Sequence, residues 1–145
     1  MKNIRVSKIR NFITQEASIV DKDAGLMVIA KKIVEDPKTR SVYVVAQDNR
    51  LIGLIPVNYL VQYLFYEYVP DEFLYYRVVK PLEEVKATDI MIPPVFVRED
   101  DTLDVAFNKM AYHNIRELPV VDKDMKIIGD LNILELIIAW IRGNS

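Results

Sequence analysis

The chain repeats itself. Laid over Arg116–Leu136, "RELPVVDKDMKIIGDLNILEL", the segment Arg40–Leu60, "RSVYVVAQDNRLIGLIPVNYL", matches at a constant offset of 76 residues. Arg meets Arg, Val44-Val45 meets Val120-Val121, and Ile52-Gly53 meets Ile128-Gly129. Upstream, "IVDKDAGLMVIAKKIVED" pairs with "VREDDTLDVAFNKMAYH", the first copy holding one extra residue near Asp36–Thr39. A duplicated unit of roughly 60 residues restricts the fold to two similar supersecondary blocks, each needing the other to cover its apolar face.

Each block reads as strand, helix, strand, strand, helix. In the second, "PVFV" is a short β-branched and aromatic run. Asp100 or Asp101 is placed to cap the helix "TLDVAFNKMAYH", whose Leu103, Val105, Ala106 and Met110 fall near one face. "LPVVD" and "KIIGDL" form a hairpin closed around Lys123-Asp124-Met125, and a last helix opens at Asn132. In the first block the helix is "AGLMVIAKKIVED", the hairpin "VYVVAQDNRLIGLI", and the closing helix starts near Pro56. Proline suits a helix N-terminus because its missing N–H would be unpaired there. The expected organisation is a first repeat over 1–66, a helical, aromatic linker over 67–84 and a second repeat over 85–145.

Composition narrows the function. Net charge is −2 over 145 residues, with acids and bases mixed along the chain. No basic stripe marks a nucleic-acid surface. With no cysteine and one histidine, His113, there is no thiolate metal site, no cysteine nucleophile and no basis for a multi-histidine site. The acidic runs Asp21-Lys22-Asp23 and Glu99-Asp100-Asp101 read as helix N-terminal carboxylates before they read as Mg²⁺ ligands. His113, closing its helix, reads as an ordinary C-terminal histidine. The longest nearly uncharged run, "LIGLIPVNYLVQYLFY", falls short of the about 20 residues a membrane span needs. The start, "MKNIRVSKIRNF", lacks the apolar stretch of a signal peptide. A cytoplasmic, non-catalytic protein without metal or required cofactor is expected.

Two features look outward. Six of the eight tyrosines fall between Tyr59 and Tyr76, either as a ring-stacking platform or as helix packing. The C-terminal helix "ILELIIAWIRG" is apolar nearly all round, which calls for a second covering surface.

At "TDIMIPPVFVREDDTLDVAFNKMAYHNIRELPVVDKDMKIIGDLNILELI" the sequence resembles a CBS domain, the cystathionine-β-synthase-type repeat. The resemblance is carried by "DIM" followed by Pro, by "DDTLDVA", by "LPVVD" and by the Ile-Gly of the last strand. The first copy matches more loosely, through "YVVAQDNRLIGLI". The whole chain then resembles a stand-alone CBS pair, or Bateman module. That implies an α+β fold of tandem βαββα repeats related by a pseudo-two-fold axis, and a homodimer built through helices of both repeats. It also implies an adenosine-containing regulatory ligand (AMP, ADP, ATP or S-adenosylmethionine) in a cleft between repeats.

The resemblance also implies site residues. Asn132 stands where nucleotide-binding relatives have a hydroxyl, and Glu135 where they have the acid that holds ribose. Asn132 can donate to phosphate at a helix N-terminus. Yet Asn followed three residues later by Glu is also a capping box, which needs no ligand. In the first copy the equivalents are Pro56 and Tyr59, which supply no carboxylate, so that cleft is expected to bind ribose poorly through this motif, and at most one competent site per chain is expected, built mainly on the second copy. Tyr59 is left to stack on a ring or to pack between helices. Arg116 and Arg40 share a position at the hairpin entry and suit bidentate phosphate contact. The alternative is a solvated Arg just before a strand, paired with Glu117 or a neighbouring carboxylate. The backbone of Ile92–Val95, including Pro94, and the side chains of Val95 and Ile115 are the implied walls of an adenine slot. Two other functions stay open: a ligand-free dimerisation or scaffolding module, and the cytoplasmic regulatory module of an ion transporter.

Overall fold

A computed structural model describes residues 2–10, 16–74 and 80–144. In the first repeat, β1 (Ile19–Asp21) leads into α1 (Leu26–Glu35), then the hairpin β2 (Ser41–Val45) and β3 (Leu51–Pro56), then α2 (Val57–Leu64). A short helix α3 (Ala87–Ile90) precedes the second repeat, which holds α4 (Leu103–His113), β4 (Glu117–Val121), β5 (Ile127–Asn132) and α5 (Ile133–Gly143). The mixed α+β architecture agrees with the expected tandem βαββα units.

The hairpins are near copies. β2 pairs antiparallel with β3 from Ser41↔Pro56, and β4 with β5 from Glu117↔Asn132. Each ladder carries one irregularity, at Val44/Val45 and at Val120/Val121. Each turn holds one left-handed residue at the same repeat position, Asn49 (φ 65°) and Met125 (φ 64°). The hairpin entries match too: Val57 N–H donates to the Arg40 carbonyl at 2.9 Å, and Ile133 N–H to the Arg116 carbonyl at 2.8 Å.

The first strands differ. β1 runs parallel to β2 through Ile19↔Tyr43, Val20↔Val44 and Asp21↔Val45. "PVFV" reduces to a single parallel bridge, Val97↔Val120, because its own Pro94 and the preceding Pro93 have no N–H to give a ladder. The cap of α4 is also not the expected one. Its N-cap residue is Thr102 rather than Asp100 or Asp101. Leu103, Ala106 and Met110 face the core, whereas Val105 lies 37% exposed. The expected helical linker begins in a 3₁₀ turn at Tyr66–Tyr68 and holds, in its described part, two more at Asp71–Phe73 and Leu82–Glu84. Pro70 and Pro81 set their starts. Tyr75 and Tyr76 lie outside the described residues.

What joins the repeats is an exchange of the segment preceding each. Val6 N–H donates to the Asp101 carbonyl (2.8 Å) and Leu103 N–H to the Ile4 carbonyl (2.9 Å), so the N-terminal segment lies on the second repeat. Reciprocally, Ala87 N–H donates to Ala24 (2.8 Å), and Ile92 and Leu54 exchange backbone bonds of 2.8 and 3.1 Å. The two cores record the exchange. One gathers Val6 and Ile9 with Val97, Leu103, Met110, Ile115 and Leu131. The other gathers Val85, Ala87 and Ile90 with Val20, Ile29, Val44 and Leu60.

This explains the Ile-Gly of both repeats. A Cβ on Gly53 would stand 2.8 Å from the Ile92 carbonyl oxygen, and one on Gly129 would stand 2.5 Å from Nη1 of Arg10. Each glycine lets the exchanged segment cross its strand.

Candidate functional site

The expected site residues divide into two groups. Tyr59, Ile92, Pro94 and Val95 come together, with Pro93, Phe96, Lys109 and His113, around an open hollow of about 420 Å³. Tyr59 enters from α2 of the first repeat, and the rest belong to the crossing segment and α4 of the second. Lys109 Nζ donates to the Phe96 carbonyl at 2.7 Å and lies 5.2 Å over the Phe96 ring. Its (CH₂)₄ stem and the prolines therefore give an apolar wall with one cation at its rim.

Asn132 and Glu135 stand elsewhere. Both are without exposed surface. Asn132 Oδ1 accepts from Leu134 N–H at 3.0 Å, and Glu135 Oε1 accepts from Asn132 N–H at 2.8 Å, which is a complete capping box. The Asn132 amide donates to the Lys38 carbonyl at 2.7 Å, tying the start of α5 to the first repeat.

Arg116 is exposed and its guanidinium contacts Asn114 Oδ1 at 3.2 Å. Arg40 folds back on the Pro37 carbonyl at 2.7 Å. Glu117 does not serve Arg116. It is buried, and its Oε1 accepts from the backbone N–H groups of Arg40 (2.6 Å) and Ser41 (2.9 Å) across the seam. Ile115 lies fully buried in the second core and is not among the residues that line this hollow.

The hollow has a pseudo-symmetric mate of about 310 Å³, lined by Glu16, Ala17, Ser18, Lys32, Glu35 and Asp36. By the repeat alignment, Lys32 stands for Lys109 and Asp36 for His113. Lys32 Nζ sits 3.3 Å from Glu35 Oε2. The mate is acidic where the first hollow is basic.

Sequence reasoning missed two things. Lys109 has a visible signal, since Lys109 and His113 lie one helical turn apart beside the crossing segment. The second is a buried acidic seam. Tyr43 OH donates to Asp130 Oδ1 at 2.5 Å, and neither residue has exposed surface. Burial first, then a hydrogen bond and repulsion from Glu117, push the Asp130 carboxyl well above the usual range. Burial, then Asp130, likewise raises the Tyr43 phenol. The hint was an Asp and a Glu inside otherwise apolar strands.

Among the described residues, no group of three or more His, Cys, Asp or Glu is arranged to hold a metal ion, and no helix is long and apolar enough to cross a membrane.

A family model described as CBS domain matches residues 87–141. The solved structure of a CBS domain-containing protein from Thermotoga maritima is 34% identical, covering 99% of this chain and 98% of that one, with a TM-score of 0.85. The chain belongs to the CBS domain family. Two more distant CBS structures share the fold over nearly the whole of this CBS pair. The pair of protein MJ0100, in complex with 5′-methylthioadenosine and S-adenosyl-L-methionine, is 18% identical with a TM-score of 0.73, covering 97% of this chain and 98% of that one. A CBS domain protein from Pyrobaculum aerophilum, complexed with AMP, is 21% identical with a TM-score of 0.73, covering 98% and 100%. A comparison with curated proteins returns no match.

Proposed function

We propose that this CBS pair is a regulatory module that binds an adenosine-containing ligand in the hollow between its repeats. The observation that carries the reading is the hollow itself, with Tyr59 from one repeat facing Ile92–Phe96 and α4 of the other. An adenine ring fits between apolar walls and an aromatic face. A ligand touching both repeats favours one relative arrangement of them by its differential affinity, which is how occupancy becomes a signal. The signal passes to a partner protein or through a homodimer. The exposed side chains Ile137, Trp140 and Ile141 on α5 and Phe107 on α4 support such a dimer. The ligand complexes of MJ0100 and of the Pyrobaculum protein are consistent with this chemistry. The role proposed is binding and not catalysis.

A second reading, a ligand-free dimerisation module, is favoured by Asn132 and Glu135, whose polar groups are engaged with the protein itself.

The test is a thermal-shift panel with AMP, ADP, ATP, S-adenosylmethionine and NAD, each with and without Mg²⁺. A ligand at 100 times its dissociation constant stabilises the fold by about 2.7 kcal/mol, a shift of several degrees. Such a shift with one compound, lost in Val95→Trp, supports the reading. No shift at millimolar concentration favours the scaffold.

A further inference from the structure

We infer that Lys109 makes the hollow a selector of ligand charge, admitting adenosine ligands that carry phosphate and disfavouring those with a sulfonium cation. This rests on the adenosine-binding reading above and goes further by choosing the ligand class and the cleft.

The two pseudo-symmetric hollows differ in the charge of their linings. Around Tyr59 and Lys109, no carboxylate stands among the described lining residues. Lys109 has no acidic partner within ion-pair distance among the described residues. Its ammonium is anchored by one bond to the Phe96 carbonyl, which leaves further N–H donors for a ligand. His113 follows one turn later on the same wall. An anionic group entering here meets a held cation and no like charge.

The mate inverts each of these. Lys32 is paired with Glu35, Asp36 takes the place of His113, and Glu16 takes the place of Pro93. Phosphate entering there meets three carboxylates against one engaged ammonium. The pair of clefts therefore sorts ligands by charge, with one anion per chain in the Lys109 hollow.

A charge-assisted hydrogen bond to a ligand phosphate corresponds to about a tenfold to hundredfold gain in affinity. The experiment is calorimetry on the full chain with adenosine, AMP and S-adenosylmethionine, at low and moderate salt, for the wild type, Lys109→Gln, Lys109→Arg and Lys32→Gln. The expected result is AMP tighter than adenosine by about tenfold or more, S-adenosylmethionine weaker than adenosine, and the AMP advantage shrinking with salt. Lys109→Gln brings the ratio of AMP to adenosine affinity close to one, Lys109→Arg restores the difference, and Lys32→Gln leaves that ratio as in the wild type.

If wild type binds AMP and adenosine alike, or if Lys109→Gln leaves the ratio of the two affinities unchanged, charge selection is overturned while the adenosine cleft stands. If Lys32→Gln and not Lys109→Gln removes the AMP advantage, the choice of cleft is overturned. If none of the three compounds binds, the adenosine reading falls and the selector with it.

Discussion

Tyr43 of the first repeat donates its phenolic proton to Asp130 of the second, and both are completely enclosed. With Glu117 beside Asp130 and bonded to the Arg40 and Ser41 amides, this is a buried polar stitch between the repeats, alongside the bond from the Asn132 amide to the Lys38 carbonyl. Burial, with Glu117 beside it, favours the form of Asp130 that keeps its proton. The raised pKa of Asp130 has burial as its first cause.

That proton makes stability pH-dependent in a defined direction. The folded pKa of Asp130 lies above its unfolded value, so the folded state binds more protons and stability falls as pH rises. The stabilisation is complete below the unfolded carboxylate value and is lost as pH rises through the folded value. Urea midpoints measured from pH 5 to 9 should fall for the wild type and fall less steeply for Asp130→Asn. Tyr43→Phe, which leaves the Asp130 acceptor without its phenol donor, should cost about 1–3 kcal/mol near neutral pH.

The two Ile-Gly glycines should differ in tolerance. At Gly53 the added methyl meets the Ile92 backbone, which is bonded to Leu54 and cannot retreat. Gly53→Ala should cost about 1–3 kcal/mol. At Gly129 it meets only the far end of the Arg10 side chain, so Gly129→Ala should cost under about 1 kcal/mol. Thermal unfolding of the two variants checks the order.

The capping box predicts instability without any ligand. Asn132→Ala removes a cap and the bond to Lys38 and should cost about 1–2 kcal/mol. Glu135→Ala leaves the buried Asn132 N–H without its acceptor, at about 1–3 kcal/mol. Denaturant unfolding in nucleotide-free buffer is the measurement. Unchanged stability in both would mean the box contributes nothing to the fold.

The exposed face of α5 predicts the assembly. Trp140 is 64% exposed between Ile137 and Ile141. Trp140→Asp should leave the melting of the monomer fold intact while sedimentation shows a dimer reduced to monomer. A wild type that sediments as a monomer at micromolar concentration removes the dimer route for the signal.

Much of this molecule is written locally. The duplication, both hairpins with their shared register, the helix after each and the Asn132–Glu135 box are readable in the chain, because residue spacing sets period, turn and cap. The βαββα order followed from the same periodicity. The site was only half legible. Ile92, Pro94, Val95 and Tyr59 do gather in one hollow, whereas Ile115 went into the core and Arg40 onto its own carbonyls.

The reason lies in what periodicity encodes. It says that a face is apolar, not which copy of a duplicated unit covers it. Residues 2–10 and 85–92 cover the opposite repeats, and that exchange together with the direct contact of the two hairpins through Glu117, Arg40 and Ser41 brings Tyr59 to Lys109 and Tyr43 to Asp130. Sequence by itself determined the two units and their internal wiring. The tertiary structure decided how they interlock, and with it which cleft carries positive charge and which carboxyls lose their water.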